Sequence, residues 1–277
     1  DGTIFITGKS DSSWGSNPVR DFQSNNDAFV AKLNSNGDLQ WHTFIGGTAD
    51  DQGEDVLYAG NGILYLTGTS SASWGGGADP NPTRAYTNGI GSDAFVAKLS
   101  STGVLEWHTF LGGADSDTAA KISFRWGLYA IGQSHATWGT PVRAFGGTSD
   151  VYVAELNSSS GALQWNTFLG GSNSDDTGHG ISAGIDTVGF YGYEKLYIAG
   201  ESSESWGSPV NPFSGVSAHD GFVAKLNSIG QIEWNTFLGG NAYDSVSDVE
   251  YKNRFSVLVT GVSQESWGTP FIPFHGS

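Results

Sequence analysis

The sequence predicts an all-β fold, a β-propeller of four-stranded antiparallel blades, and three observations lead to it. Glycine is abundant, at 41 of 277 residues, and accompanies 10 Trp, 10 Tyr and 16 Phe, a mixture typical of short strands joined by tight turns. Three sequence blocks recur along the chain, which indicates a repeat architecture. No window has the i, i+3, i+4, i+7 pattern of an amphipathic helix, so we expect almost no helix.

The three blocks are short and easily aligned. The first, Asp-Ala-Phe-Val-Ala-Lys-Leu, begins at Asp27 and returns in similar form from Asp93, Asp150 and Asp220. The second, Trp-His-Thr-Phe-Ile-Gly-Gly, begins at Trp41 and recurs from Trp107, Trp165 and Trp234. In its last two copies an Asn, Asn166 or Asn235, replaces the His found as His42 and His108. The third is a strand followed by Trp-Gly, which occurs five times, at Trp14, Trp74, Trp138, Trp206 and Trp267.

Each repeat is interpreted as four strands. In the first complete repeat they fall near residues 56–58, 63–67, 94–99 and 104–111, and the turn between the last two carries Gly103. Four-stranded repeats of roughly 57 to 70 residues match the blade of a propeller. We expect one domain, or a fragment of a larger ring, over residues 1–277. Its repeats are 1–45, 46–111, 112–169, 170–238 and 239–277.

The repeat resembles a known family. Asp-Ala-Phe-Val-Ala-Lys-Leu, then Trp-x-Thr-Phe-Leu-Gly-Gly, an acidic loop and Leu-Tyr-x-x-Gly are similar to the bacterial SBBP β-propeller repeat. This resemblance covers essentially the whole chain. It implies a propeller and an exported or cell-surface bacterial protein, but no activity. The chain departs from the commoner pattern in the Ser-Trp-Gly or Thr-Trp-Gly after the second strand.

The two ends of the chain leave incomplete blades. A second-type strand over residues 3–8 has no first-type strand before it, and the last repeat stops after its second strand. The chain is therefore an excerpt of a longer array, or its ends share a blade. Open strand edges accept further strands, so we expect Val257 and Val259 to be buried. In one version the C-terminal hairpin joins residues 28–33 and 39–45 in one sheet. In the other, a neighbouring copy or a missing segment pairs with these edges, which would make head-to-tail assembly natural.

Composition and motifs exclude several functions. The absence of Cys rules out disulfides and thiol chemistry. A net charge of −16 argues against a nucleic-acid partner and against binding anionic membranes, and no apolar run is long enough for membrane insertion. Gly-x-Ser-x-Gly, P-loop and dinucleotide fingerprints are absent. The remaining histidines are predicted in loops without partner spacing: His135, His179, His219 and His275.

The Trp-Gly loops form the first candidate site. Trp14, Trp74, Trp138, Trp206 and Trp267 occupy equivalent positions, each followed by Pro and an aromatic residue such as Pro273 and Phe274. Arg20, Arg84 and Arg143 accompany the first three, within reach of cation–π contact. Exposed indoles would stack on sugar rings and make a multivalent lectin. The alternative, which recurrence in every repeat favours, is that each Trp folds back over its own blade.

The acidic loops after the fourth strand form the second candidate site. Their carboxylates are oxygen ligands of the type that Ca²⁺ prefers; they are Asp50, Asp51, Asp115, Asp117, Asp175, Asp176 and Asp244. None fits an EF-hand, and the favoured interpretation is that they cap turns. No cofactor other than Ca²⁺ is suggested. The aspartates that open the third strand are expected to accept hydrogen bonds from a neighbouring loop: Asp27, Asp93, Asp150 and Asp220.

These patterns favour a non-enzymatic extracellular or cell-surface propeller. We expect a structural, adhesive or protein-interaction module, with a protein or a surface glycan as partner and self-association through strand edges. A carbohydrate-binding lectin is the first alternative. An enzyme with a site in the central channel is the second, and it is disfavoured because His42 and His108 are interchanged with Asn in other repeats.

Overall fold

The structure, a computed structural model, describes residues 2–87, 89, 91–188, 191–215 and 218–271. Within these ranges every regular element is a β-strand, so the all-β prediction is confirmed. The described residues include no helix that could span a membrane. Pro273, Phe274 and His275 lie outside the described residues. His179 lies in a strand, not in the predicted loop.

The strands form five antiparallel sheets, each built from one repeat. The first sheet has the order β1-β2-β3 and the second β4-β5-β6-β7. Their bounds are β1 Ile4–Ser10, β2 Asp27–Leu33, β3 Leu39–Ile45, β4 Asp51–Gly60, β5 Ile63–Ser70, β6 Asp93–Leu99 and β7 Leu105–Leu111.

The other three sheets follow in chain order. The third is β8-β9-β10-β11, the fourth β12-β13-β14-β15, and the fifth the hairpin β16-β17. Their bounds are β8 Asp117–Phe124, β9 Leu128–Ser134, β10 Asp150–Leu156, β11 Leu163–Leu169, β12 Asp176–Val188, β13 Tyr191–Ser202, β14 Asp220–Asn227, β15 Ile232–Leu238, β16 Asp244–Asn253 and β17 Ser256–Ser263.

The chain divides into two compact units. Unit 1 comprises Asp1–Ala130, Ala136–Trp138 and Glu155–Gln164, and unit 2 comprises Ile131–His135, Gly139–Ala154 and Trp165–Ser277. In unit 1, β4 contacts both β1 and β8, and in unit 2, β16 contacts β12. First strands of successive repeats therefore meet within each unit.

The core of each unit is formed by apolar side chains of its strands. In unit 1 it includes Leu64, Leu66 and Phe95, with Trp41 and Tyr86 packed against it. The strands are short and apolar on both faces because each internal sheet is covered on both sides, which explains why the sequence shows no strict alternation.

The first strand of a sheet carries a β-bulge near its start. The bulged residue is Glu54 in β4, His179 in β12 and Ser247 in β16. A bulge adds one residue to the strand and turns its side chain to a new direction. Glu54, His179 and Ser247 therefore occupy one equivalent position with three different side chains.

The C-terminal hairpin differs from the prediction. Its strand β17 pairs with β16 alone among the described strands, and Val259 is 41% exposed, not buried. The version in which this hairpin joins β2 and β3 in one sheet is wrong for the single chain. The reason is that β1 already pairs with β2 in the register, Ser10 opposite Asp27, that a second-type strand would take.

Candidate functional site

The Trp-Gly loops fold back over their own sheets. The Trp74 indole stacks on the His108 ring with centroids 3.8 Å apart and meets Phe95 and Phe110 edge-on. Trp14 stacks in the same way on His42, at 4.3 Å. We call this arrangement, an indole closed over the fourth strand of its own repeat, the Trp lock.

The Trp lock explains why His and Asn interchange. The imidazole Nε2 of His108 lies 3.0 Å from the backbone oxygen of Trp74, and Nδ2 of Asn235 donates to the Trp206 oxygen at 2.9 Å. Burial lowers the pKa of His108 to about 4, so the ring is neutral and the side chain contributes one N–H. An imidazole and an amide both supply that N–H, which is why either residue serves.

Burial of the indoles bears directly on the lectin alternative. Trp74 is 5% exposed, Trp138 and Trp206 are equally buried, Trp14 is half-buried, and Trp267 is 38% exposed. Sugar stacking needs a free ring face, whereas the rings of Trp74 and Trp206 lie against aromatic residues of their own sheets. The exposed circle of five indoles that the lectin alternative requires is therefore not present in this structure.

The three arginines close the end of the fourth strand. Arg84 donates from Nη1 to the Phe110 oxygen at 3.0 Å and from Nη2 to the Gly112 oxygen at 2.7 Å. Arg20 and Arg143 make the same pair of bonds in their repeats. The guanidinium of Arg84 also lies 5.4 Å from the ring centre of Trp138. The predicted cation–π contact thus reaches the Trp of the following repeat.

Where one repeat follows another, the aspartate that opens the third strand of the first repeat and the aspartate that opens the first strand of the next converge on one glycine. A Cβ added to Gly170 would lie 2.4 Å from Oδ1 of Asp150 and 2.3 Å from Oδ2 of Asp176. The same convergence joins Asp93 to Asp117 at Gly112 and Asp220 to Asp244 at Gly239. Asp27 and Asp51 hold the same two strand positions, and the charge of Asp27 helps to raise the pKa of Asp51. We call all four couples the Asp pairs. Only glycine fits beside them.

The Asp pairs fasten two loops at once. Oδ2 of Asp150 accepts the Gly146 amide at 2.8 Å, and Oδ2 of Asp176 accepts the Gly171 amide at 3.1 Å. The Gly146 amide belongs to the Trp-Gly loop and the Gly171 amide to the acidic loop. The first and third strands therefore begin with a carboxylate because each must bind a loop amide. Among the described residues, Oδ1 of Asp150 has no hydrogen-bond partner.

Burial makes these carboxyls weak acids. Desolvation raises the pKa of Asp51 and of Asp150 to about 7, and that of Asp93 and of Asp176 to about 6, with the charge of the paired aspartate adding to the effect except for Asp176. Two buried carboxylates side by side repel each other, so one of them holds a proton near neutral pH.

The structure separates the predicted calcium ligands. Asp50, Asp115 and Asp175 are exposed, whereas Asp51, Asp117, Asp176 and Asp244 are buried in the Asp pairs. In the part of the chain that the structure describes, no three His, Cys, Asp or Glu side chains converge as a metal site. Calcium binding stays a prediction, which melting curves recorded in Ca²⁺ and in EDTA can test by ligand linkage.

A polar cluster that the sequence did not suggest lies where β12, β13 and β16 begin or end. Glu201 accepts a hydrogen bond from the Tyr243 hydroxyl, and its Oε2 lies 3.8 Å from Nε2 of His179. Burial opposes ionisation of Glu201, but hydrogen bonds from His179, Tyr243 and Ser245 outweigh it and hold the pKa at about 2. The bulge directs His179 toward this cluster.

The position that Glu201 occupies carries a different side chain in every repeat. It is the middle residue of Gly-x-Ser at the end of the second strand, and it is occupied by Lys9, Thr69, Gln133, Glu201 and Val262. Several of these reach the first strand of the next repeat: Thr69 Oγ1 accepts the Ala119 amide at 3.2 Å, and Gln133 Nε2 donates to Thr177 Oγ1 at 3.0 Å. We call these positions, with the bulged residues, the rim.

In unit 1 the rim opens into a polar pocket. Its cavity volume is about 310 Å³, and its lining includes Lys9, Asp50, Glu54, Thr69 and Thr118. Burial raises the pKa of Glu54. No residue of this lining belongs to a Trp lock, so the pocket and the locks are separate features of the repeat.

Comparison with known proteins finds a similarity to part of a longer protein. No family model matches the chain. A protein of Caulobacter vibrioides named regulatory protein FlaEY is 26% identical to it over 260 residues. The similarity covers 86% of this chain and 26% of the length of that protein.

Proposed function

We propose that the chain is a non-enzymatic β-propeller module of the bacterial cell surface or exterior that binds a protein partner through its rim. Its sheets are the blades, and the surface location rests on the resemblance to SBBP repeats. The similarity to 26% of a protein named as regulatory is in keeping with a module that works inside longer chains.

The difference between lock and rim positions carries this proposal. Trp, His or Asn, and the paired Asp recur because each performs the same structural task in each repeat. Rim positions are not held to one residue type. The middle residue of Gly-x-Ser at the end of the second strand differs in charge and size between repeats, as Lys9, Thr69, Gln133 and Glu201. In a repeat protein, equivalent positions that vary from one repeat to the next are free to recognise a partner.

The charge of Glu201 suits binding. Its pKa is about 2, and it accepts a hydrogen bond from the Tyr243 hydroxyl, so the carboxylate stays ionised near neutral pH. A general acid or base works best with a pKa near the working pH, so this rim residue favours a contact that holds a partner.

The partner that suits the rim is a polar protein segment with a positive charge. Asp50 and Glu54 line the pocket in unit 1, and the whole chain carries a net charge of −16. Such a field attracts cationic segments and speeds their association at low salt.

The test is a peptide array probed with the labelled chain, containing lysine- and arginine-bearing peptides beside acidic ones of equal length. We expect the basic peptides to bind, and Glu54→Gln to weaken them about tenfold, the effect of one lost charge contact. Glu106→Gln, on an exposed carboxylate paired with Lys98, is the matched control and should leave binding unchanged. Binding that ignores Glu54→Gln, or a turnover that Glu201→Gln abolishes, would overturn the proposal.

A further inference from the structure

In unit 2 a glutamate is bound by two amides of an acidic loop. Oε1 of Glu204 accepts hydrogen bonds from the Ser172 and Asn173 amides, at 2.6 and 3.0 Å. Successive backbone amides that point to one place form a concave site for an anion. We call such a pair of amides a nest.

The next repeat of unit 2 has the same arrangement. Oε1 of Glu265 accepts hydrogen bonds from the Asn241 and Ala242 amides, the second at 3.0 Å. A Cβ on Gly240, the residue before this nest, would lie 2.3 Å from the same oxygen. Both glutamates stand two residues before the Trp of a Trp-Gly loop, so one sequence position supplies the carboxylate in both repeats.

The acidic loop over residues 46–51 of unit 1 folds in the same way. The bond that closes it, from the Gly47 amide to Oδ2 of Asp51, measures 2.8 Å, as does its counterpart in the loop before Glu265. The Asp50 oxygen accepts the Ser71 amide at 2.9 Å, and the counterpart of this bond, just before Glu265, measures 3.1 Å. The two loops therefore present their amides alike.

The nest of this loop, formed by the Thr48 and Ala49 amides, has no glutamate. Ala72 occupies the glutamate position, and its methyl group accepts no hydrogen bond. The backbone there is placed as in unit 2, because the Ser70 hydroxyl donates to the Ala72 oxygen at 2.8 Å, a bond that both glutamates have as well. Within the described part of the chain, neither amide of this nest donates a hydrogen bond.

This nest adjoins the polar pocket of the rim. Asp50 follows directly after the nest amides, and Ser71 directly precedes Ala72; both line the pocket of about 310 Å³, together with Glu54. Because consecutive Cα atoms are about 3.8 Å apart, the nest lies within one or two residues of the pocket wall. A segment bound in the pocket can therefore reach the nest with a neighbouring side chain.

We propose that the partner segment bound by the rim carries an Asp or Glu near its basic residue, and that this carboxylate binds the Thr48 and Ala49 amides. It takes the place that the Glu265 carboxylate takes in its own nest. The inference rests on the proposed function and adds an acidic residue to the partner. It also adds specificity, since a segment with positive charge alone leaves these two amides to water.

Negative charge around the loops does not prevent such a contact. Glu204 is held in its nest beside the exposed Asp175. Burial raises the pKa of Asp176, and the charge of Glu204 adds to that effect, yet both amide bonds to Glu204 are made. Hydrogen bonds to an ionised acceptor are roughly twice as strong as neutral ones, so two amides suffice to hold a carboxylate there.

Acetate tests the nest without any partner. In proton–nitrogen NMR spectra, acetate should shift the Thr48 and Ala49 amide signals relative to the same concentration of chloride. The shift should disappear in Ala72→Glu, whose own carboxylate fills the nest. Ser73→Glu puts the same charge on the next, exposed residue, so this matched control should keep the shift. Amide signals that ignore acetate in the wild-type chain, or respond equally in Ala72→Glu, would overturn the inference whatever the rim binds.

Peptides then separate the inference from the proposed function. A peptide with one lysine and a glutamate a few residues away should bind about tenfold more tightly than the same peptide with glutamine instead, the effect of charge-assisted hydrogen bonds. Ala72→Glu should lose this preference and Ser73→Glu should keep it. Equal binding of both peptides to the wild-type chain would refute the inference and leave the proposed function standing. Failure of both peptides to bind would refute the proposed function, and the partner's carboxylate with it.

Discussion

Trp74 and Trp267 stand in the same Ser-Trp-Gly sequence but in opposite environments. Trp74 is closed between His108 and the phenylalanines of its sheet, whereas Trp267 is 38% exposed and donates from Nε1 to the Ser263 hydroxyl at 3.1 Å. The second repeat has its third and fourth strands beside the loop, and the fifth sheet is a two-stranded hairpin. The Ser-Trp-Gly sequence therefore does not form the Trp lock by itself; a fourth strand must lie beside the loop.

The largest expected effect comes from removing an inner Trp. Trp74→Ala should lower the free energy of unfolding by about 3–5 kcal/mol, as for other buried aromatic side chains. Trp267→Ala should cost less than about 1 kcal/mol, because little buried area is lost. Urea unfolding followed by circular dichroism compares the two, and equal losses would contradict the asymmetry between these regions.

The next effect separates a turn glycine that lies against an indole, Gly103, from one with open surroundings, Gly37. Gly103→Ala and Gly37→Ala impose the same backbone strain, since φ is +81° and +85°, worth about 1–2 kcal/mol in the left-handed region. Gly103→Ala adds a clash with the Trp41 ring at 2.8 Å, worth about 1–3 kcal/mol of overpacking. Melting temperatures of the two variants at low concentration measure the difference, and a Gly37→Ala variant as unstable as Gly103→Ala would refute it.

A smaller effect concerns the N–H that the lock requires. His108→Leu leaves the buried Trp74 oxygen without its donor and should cost about 1–3 kcal/mol. His108→Asn supplies the amide that Asn235 supplies in its own repeat and should lose clearly less stability. If the two variants unfold at the same urea concentration, the hydrogen bond is not what holds the lock.

The sequence allowed the strands, the turn glycines and the inward fold of the Trp loops to be predicted, because these depend on local pattern and on recurrence. The reason why His and Asn interchange could not be predicted from the sequence. The side chains of His108 and Asn235 bond a backbone oxygen, that of Trp74 or Trp206, and no residue spacing reveals such a partner. The contact of Arg84 with Trp138 was assigned to the wrong repeat for the same reason. The cluster at Glu201 combines three distant segments and carries no motif.

The smallest expected effect of a single substitution lies in the Asp pairs. The folded-state pKa of Asp51, about 7, is above its ordinary value of 3.8. Its contribution is therefore complete below about pH 4 and is lost as the pH rises through 7. The melting temperature should fall between pH 6 and pH 8, an effect of about 1 kcal/mol per pair.

Substitution at one pair provides the control for this pH dependence. Asp51→Asn should raise the melting temperature at pH 8 and flatten the profile, because the neutral amide mimics the protonated acid. Asp50→Asn, on the exposed neighbouring residue, should change neither the melting temperature at pH 8 nor the shape of the pH profile. A wild-type profile that stays flat between pH 6 and pH 8 would show that the pairs are ionised throughout this range.

A second-type strand should be firmly held where a third-type strand lies beside it, and amide hydrogen exchange followed by mass spectrometry measures this strand by strand. In dilute solution β5 should exchange slowly and β17, with its open edge, should exchange fastest of the second-type strands. Equal protection of β5 and β17 in dilute solution would contradict the account.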